Sequence, residues 1–271
     1  MAATQAVVVI PVYKPVPDAR ELFSLRQCAR VLAAHPLVFV APAGLDLGPY
    51  RAVIPTAGEQ RFEADYFRSI DGYNRLMLSS EFYAAFAAYD YLLIHQTDAL
   101  VFADQLLHWC AKGYDYVGAP WVREWHFQPR WQRWPKAWRS ALAQRLQPAP
   151  GSRWCRYVPY GLVGNGGLSL RRVAAFRAVL AAEPAALADY RQPVARQFNE
   201  DVFWSYAARL NGLPLRIPLW QEALGFAMEY HVPQSLHTLG ALPFGCHAWE
   251  RQGRDWQGVF AQLGLSAPES A

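Results

Sequence analysis

An α/β fold with a mixed, mostly parallel sheet flanked by helices is predicted by three observations. Short apolar runs rich in β-branched or aromatic residues recur at Ala6 to Val12 (AVVVIPV), Leu37 to Val40 (LVFV) and Tyr91 to Ile94 (YLLI). Helical stretches lie between them, which is the β-α-β opening of a doubly wound sheet. Across 271 residues, 53% hydrophobic content is ample for a sizeable core.

The first strand is bounded by Pro11 and opens into a loop at Tyr13, Lys14 and Pro15, over which a ligand can sit. Asp18 precedes a helical stretch through Ala33, and the second strand ends at Ala41 and Pro42. Tyr73 to Tyr89 reads as one helix with Leu76, Tyr83 and Phe86 on a face. Asn74 and Arg75 stand at its start, where backbone amides and a guanidinium suit phosphate, although an exposed Arg there is more often only solvated.

The central strand follows, and its polarity changes abruptly at His95, Gln96, Thr97 and Asp98. Open α/β sheets place ligands at the carboxyl ends of such strands. Two readings of Asp98 stand: one oxygen ligand for a hard divalent cation carrying a diphosphate, or a cap on the helix that begins near Ala103. A helix from about Asp104 to Lys112 and a further strand through Tyr114 to Trp121 complete this half.

From Trp121 to Arg139 the sequence interleaves Trp121, Trp125, Trp131, Trp134 and Trp138 with Arg123, Arg130, Arg133, Lys136 and Arg139. There is no clean period before Pro135. Three readings remain: an insertion folding its rings onto the core, a nucleic-acid surface, or a surface that stacks sugars or lies on lipid headgroups. Pro148 to Gly151 reads as a break within the fold.

In the second half, Gly164-Asn165-Gly166-Gly167 precedes a short strand through Arg172, letting backbone approach a ligand or simply making a turn. Asn199-Glu200-Asp201 opens a helix with Phe203, Tyr206, Ala207 and Leu210 on one face. Paired carboxylates at a helix start complement its dipole and by themselves need no other role. Pro243 to Trp249 holds one histidine, His247, in a compact aromatic segment, and a lone His is more often packed than ligating.

Composition excludes several classes. A formal charge of +4 is compatible with anionic ligands or an anionic membrane but too weak to argue nucleic acid. Cys28, Cys110, Cys155 and Cys246 lack C-x-x-C spacing, so neither a zinc site nor a disulfide framework is expected, and a reducing compartment is the simplest reading. No signal core or bilayer-length apolar run is present, so secretion and membrane spanning are not expected. G-x-S-x-G, H-E-x-x-H and G-x-x-x-x-G-K-[ST] are also missing.

Taken in order, Gln96-Thr97-Asp98, the Gly164 to Gly167 glycines, Glu200-Asp201 and His247 resemble the four recurring elements of GT-A-fold glycosyltransferases: the D-x-D metal site, the glycine-rich loop, the x-E-D catalytic segment and the C-terminal metal-binding His. N-G-G-L-S-L-R, N-E-D-V-F and P-F-G-C-H-A-W more closely resemble an uncharacterised glycosyltransferase-like family of bacteria and fungi, with a likeness extending from Val9 to Trp249. The resemblance implies a single GT-A-like, Rossmann-like domain over residues 1–271. Its nucleotide-sugar-binding half covers about 6–120, the Trp/Arg-rich insertion about 121–150, and the acceptor and catalytic half about 151–250.

It further implies Asp201 as general base with Glu200 beside it positioning the acceptor. A nucleotide would lie across Pro11, Val12 and Tyr13, with Asn74, Arg75, Gln96, Thr97, Asp98, Asn165, Gly166 and Gly167 completing the donor site. Asp98 and His247 would hold Mn²⁺ or Mg²⁺. Apart from the resemblance, Trp121, Trp125 and Trp131 are expected on the acceptor side, because stacked rings and cationic neighbours suit sugars joined to an anionic lipid carrier. One departure is chemical: Gln96 stands where the pattern has its first Asp, offering an oxygen but no charge, which weakens metal affinity.

The expected partners are a nucleotide-sugar donor, UDP-linked in the favoured case, and a glycan or glycolipid acceptor of cell-surface polysaccharide or lipopolysaccharide synthesis, with no nucleic acid. The expected location is the cytoplasm, or the periphery of the inner membrane. Two alternatives remain open. A nucleotidyltransferase normally needs a glycine- and basic-rich loop after the first strand, which Tyr13 to Asp18 lacks, and a glycan-binding or scaffold protein could keep this fold without its metal chemistry.

Overall fold

The computed structural model describes residues 4–146, 158–183, 186–191, 199–208, 212–213 and 215–268. Its strands are β1 (Ala6–Pro11), β2 (Leu37–Pro42), β3 (Gly58–Phe62), β4 (Tyr91–His95), β5 (Leu100–Val101), β6 (Tyr116–Pro120), β7 (Val163–Arg172), β8 (Ala227–Met228) and β9 (Gly245–Cys246). Six form one sheet in the order β3-β2-β1-β4-β7-β6. β3, β2, β1 and β4 are mutually parallel, whereas β7 runs antiparallel to both β4 and β6. The sheet is therefore mixed and mostly parallel, with helices on its two faces.

Every residue of β1, β4 and β6 is buried, as a strand covered on both faces requires. Alternation divides their side chains between two cores. Val8, Ile10 and Leu93 pack with Leu25, Cys28, Leu106 and Trp109 from the helices Ala19–Val31 and Leu106–Ala111. Val7, Val9, Leu92 and Ile94 pack on the other side with Leu76, Phe82, Phe176, Phe203 and Trp204. A third cluster, including Leu100, Met228, Cys246, Trp249, Trp256 and Phe260, joins the small sheet β5-β9-β8 to the helix Gly253–Gln262.

Local chemistry explains the element ends that matter. Asp18 accepts from the amides of Arg20 and Glu21, and Glu21 Oε2 accepts from the Asp18 amide at 2.9 Å, closing a capping box on the helix Ala19–Val31. The stretch Tyr73 to Tyr89 is two helices, Ile70–Met77 and Ser80–Ala85, because Ser79 caps the second by accepting from the Phe82 amide at 3.1 Å. At the bulge between β6 and β7, a Cβ on Gly118 would strike the Asn165 backbone, so glycine permits the irregularity.

Elsewhere the expectations are revised. The strand after the glycines starts at Val163 and includes them, while β3 and the small sheet are additional elements. The Trp and Arg segment forms a short turn of helix at Glu124–Phe127 and a long helix, Arg130–Leu146, that runs through Pro135. Pro135 lies in the second turn, where it forfeits its bond to the Trp131 carbonyl, which water can replace on an exposed face. Trp131, Trp134 and Trp138 are 75%, 70% and 56% exposed, so these three rings do not fold onto the core. Pro148 to Gly151 and Leu210 lie outside the described residues.

Candidate active site

Four segments distant in sequence meet outside the carboxyl ends of β1 and β4. The chain leaves β1 toward β2 on one side and leaves β4 toward the opposite half of the sheet, which makes this crevice the switch point where open α/β sheets bind ligands. An open pocket of about 680 Å³ occupies it. That volume falls within the usual range for small-molecule sites.

β4 supplies one wall. Its last residue, His95, is fully buried, and burial lowers its pKa to about 4, leaving a neutral ring. The chain then turns tightly: the Gln96 amide donates to Gly167 O at 2.9 Å and the Ala99 amide to Gln96 O at 2.9 Å. Thr97 Oγ1 donates to Glu21 Oε1 at 3.0 Å, tying the turn to the capping box. Lys14 lies 2.9 Å from Asp18 and 3.1 Å from Glu21, closing that corner as an ion-pair network.

Asp98 reaches the opposite wall. Its Oδ1 lies 3.3 Å from His247 Nε2, while His247 Nδ1 is 3.7 Å from Glu229 Oε1. Neither ring nitrogen has a well-directed hydrogen bond among the described residues. Burial opposes charge on the ring, but Asp98 and Glu229 outweigh it and raise its pKa to about 10. Burial likewise opposes ionisation of Asp98, and the His247 charge overcomes this to lower its pKa. Asp98 and His247 therefore form a charged pair that a cation would have to enter by displacing the ring proton.

The β7 glycines form the floor. A Cβ on Gly167 would run into the His247 ring, and one on Gly166 into the Glu200 carboxylate. Asn165 secures this backbone by accepting from the Gly167 amide at 2.9 Å and donating to Glu229 Oε2 at 2.6 Å. Close approach is the reason for glycine at both positions.

Glu200 and Asp201 close the site from the start of the short helix Glu200–Val202, which continues as a π-helical turn at Phe203–Ala207. Asn74 accepts from the Glu200 amide and donates to Asn199 Oδ1, both at 3.2 Å, holding that start in place. Glu200 is buried and accepts from Arg171 at 2.9 Å; Arg171, itself fully buried, also donates to Tyr83 at 2.8 Å. Burial raises the Glu200 pKa against the pull of Arg171. Burial and the neighbouring Glu200 charge raise Asp201 to about 7. A carboxylate with a pKa near neutrality is suited to exchange protons there.

The pocket thus brings together Pro11, Tyr13, Asn74, Gln96, Thr97, Asp98, Asn165, Gly166, Gly167, Glu200, Asp201 and His247. Val12 is buried instead, Arg75 is outside the lining, and Trp121, Trp125 and Trp131 are not brought to it. Trp121 packs against the core, Trp125 stacks on His126 at 3.7 Å, and Trp131 faces solvent. Sequence reading missed Glu21, Arg171 and Glu229. Glu229 carried one available signal, a lone charge at the end of an apolar run (GFAME), whereas Arg171 is paired with Arg172 in sequence and carried none.

The sequence model of a family described as "Protein of unknown function (DUF5672)" matches residues 57–247, most of the chain. The chain belongs to that family. No curated protein matches it in sequence. Solved structures similar to this DUF5672 protein include glycosyltransferases. The galactosyltransferase LgtC, solved with donor and acceptor sugar analogues, is 14% identical with a TM-score of 0.53, over 97% of this chain and 98% of that one. Mouse xyloside xylosyltransferase 1 is 8% identical with a TM-score of 0.51, over 90% and 97%. The bifunctional WbbM matches at 12% identity and 0.51 over 90% of this chain and 45% of its own. The architecture of the DUF5672 chain is that of the GT-A glycosyltransferases.

Proposed function

We propose that the protein is a nucleotide-sugar-dependent glycosyltransferase that moves a sugar, with inversion, to a glycan or glycolipid acceptor in cell-surface polysaccharide or lipopolysaccharide synthesis. One observation carries the reading. A single pocket holds a carboxylate titrating near neutrality, Asp201, and a carboxylate–imidazole pair, Asp98 and His247, across a floor of bare glycine backbone. The GT-A architecture supports it.

The residues fit a cation shared with a donor diphosphate, not a cage made by protein alone. Asp98 and the His247 ring, whose nitrogens lack directed hydrogen bonds, supply two ligands, and the described residues contain no cluster of three or more His, Cys, Asp or Glu able to hold a metal. Mg²⁺ and similar ions commonly take few protein ligands beside substrate phosphates and water. The pocket lining also carries seven carboxylates, Asp18, Glu21, Asp98, Glu200, Asp201, Glu229 and Glu250, against Lys14, Arg20, Arg68, Arg251 and the protonated His247. A diphosphate would be repelled by that excess without a counter-cation. When bound, Mn²⁺ or Mg²⁺ would neutralise the charge developing on the leaving diphosphate.

The chain's own groups perform the rest. The Gly166–Gly167 backbone lets the donor sugar lie close to the sheet, and Tyr13 and Pro11 border the side where a nucleotide, UDP in the favoured case, would lie. Asp201 takes the acceptor hydroxyl proton as that oxygen bonds to the anomeric carbon, and the electron pair of the breaking bond leaves with the diphosphate. Glu200, held in place by Arg171, positions the acceptor beside Asp201, and its charge raises the basicity of Asp201. UDP-, GDP-, CMP- and dTDP-sugars, scored by thermal shift with and without Mn²⁺ and then by product analysis, test the proposal. A product of retained configuration, or stabilisation by none of the donors, would refute it.

A further inference from the structure

The helix Arg130–Leu146 is pinned to the protein along one side. Ser140 Oγ donates to Tyr160 O at 2.8 Å, Gln144 Nε2 to Val158 O at 2.9 Å, and Tyr206 OH to Gln144 O. Ser140 and Ala143 are its buried residues. At 100° per residue Trp131, Trp134 and Trp138 fall within an arc of about 60° on the opposite side, with Leu142 and Arg145 aligned below them. Three indoles at 75%, 70% and 56% exposure on one stripe are not the scattered apolar residues a surface normally shows.

The charge of this helix is equally one-sided. It contains Arg130, Arg133, Lys136, Arg139 and Arg145 and no acidic residue. By the same spacing Arg130 and Arg139 fall on either side of the Trp stripe. Indoles and long basic side chains both favour the boundary between water and hydrocarbon, the rings at headgroup depth and the cations against anionic phosphate. No described helix is long and apolar enough to cross a bilayer, so the contact this face can make is a surface one.

We infer that the exposed face of Arg130–Leu146 is a docking surface for an anionic phospholipid bilayer. The occupant follows from charge complementarity. On this side of the helix a neutral protein partner would leave Arg130, Arg139 and Arg145 without counter-charge, whereas a polyanion without an apolar phase would leave three indoles in water. The inference does not depend on the reaction proposed for the pocket, because none of these residues lines it.

Flotation of the full chain with vesicles of phosphatidylcholine alone, or with about 30% phosphatidylglycerol, tests it. Binding is expected to the anionic vesicles, weaker in the neutral ones and reduced by salt. Replacing Arg130, Arg139 and Arg145 with Gln should weaken binding to anionic vesicles roughly 100-fold, since each juxtamembrane cation contributes about a factor of five. The triple variant Trp131→Ala, Trp134→Ala, Trp138→Ala should lose binding while keeping its melting temperature. Quenching of tryptophan emission by brominated lipid, measured on the unsubstituted protein, gives a readout independent of whether a variant folds. Vesicle binding unaffected by either variant, absence of quenching, binding to single-stranded nucleic acid but not to vesicles, or self-association abolished by the Trp variant would each overturn the inference.

Discussion

Replacing Asp201 with Asn keeps the side chain's shape and removes its proton affinity, and the two consequences can be worked out separately. As base, Asp201 contributes through the transition state, so kcat should fall by about 10² to 10⁴ while donor Kd is unchanged. For stability, the native pKa is about 7 against an ordinary value of 3.8. A carboxyl raised in the folded state binds its proton more tightly there, so stability falls as pH rises from about 4 to about 7, and the full cost persists above that. Roughly three units at 1.36 kcal/mol each set a ceiling of about 4 kcal/mol, and water reaching the carboxylate through the pocket cuts this to roughly half. Asn carries no such cost. The variant should therefore melt several degrees above the unsubstituted protein at pH 8 and show a smaller difference at pH 5. In the unsubstituted protein, the proposed transfer should have a kcat that rises with pH along a limb centred near 7. Retained turnover with a lowered melting temperature, or a limb centred near 4, would refute the assignment and leave Asp201 as a helix-end residue only.

Three further outcomes follow from contacts already described. Asp98→Ala should abolish the difference in nucleotide affinity between Mn²⁺ and EDTA, measured by calorimetry; equal affinity in both conditions for the unsubstituted protein would remove the metal and favour a metal-independent mechanism. Gly167→Ala drives a methyl group into the His247 ring, so metal-dependent binding should fall at least tenfold with only a modest change in melting temperature, whereas unchanged binding would show that His247 is not needed in its present place. Arg171→Met leaves Glu200 buried and unpaired, a loss of about 3 to 5 kcal/mol, and adding Glu200→Gln should recover much of it by calorimetry; equal destabilisation in single and double variants would deny the coupling.

Much of the sheet could be read from residues alone, whereas the pocket was read chiefly through a resemblance in motif order, and the reasons differ by element. β1 and β4 are uniform apolar runs buried on both faces, so pattern identifies them without tertiary information. β3 (GEQRF) is an edge strand with one buried residue, and two-residue strands such as β8 and β9 have no period to detect. The helix Arg130–Leu146 presents Trp on its solvent side, inverting the usual polarity, which is why hydrophobic spacing did not reveal it. Asp98, Asp201 and His247 were recognisable because their segments keep a motif order, and the glycines fit because side chains elsewhere need the space. Arg171, Glu229 and Glu21 were not: each acts across 29 to 76 residues of sequence, through a partner that only the folded chain brings near.

The reversed direction of β7 has a further consequence during synthesis. β3, β2, β1 and β4 can pair as soon as residue 95 has emerged, but the neighbour that covers the free side of β4 begins only at Val163. At translation rates of roughly 5 to 20 residues per second, this fully buried strand waits several seconds with its amides and carbonyls open to any passing strand. The nascent chain is most vulnerable to misassociation in that interval, and a ribosome pause placed between β4 and β7 should lower the yield of folded protein more than the same pause placed after Arg172.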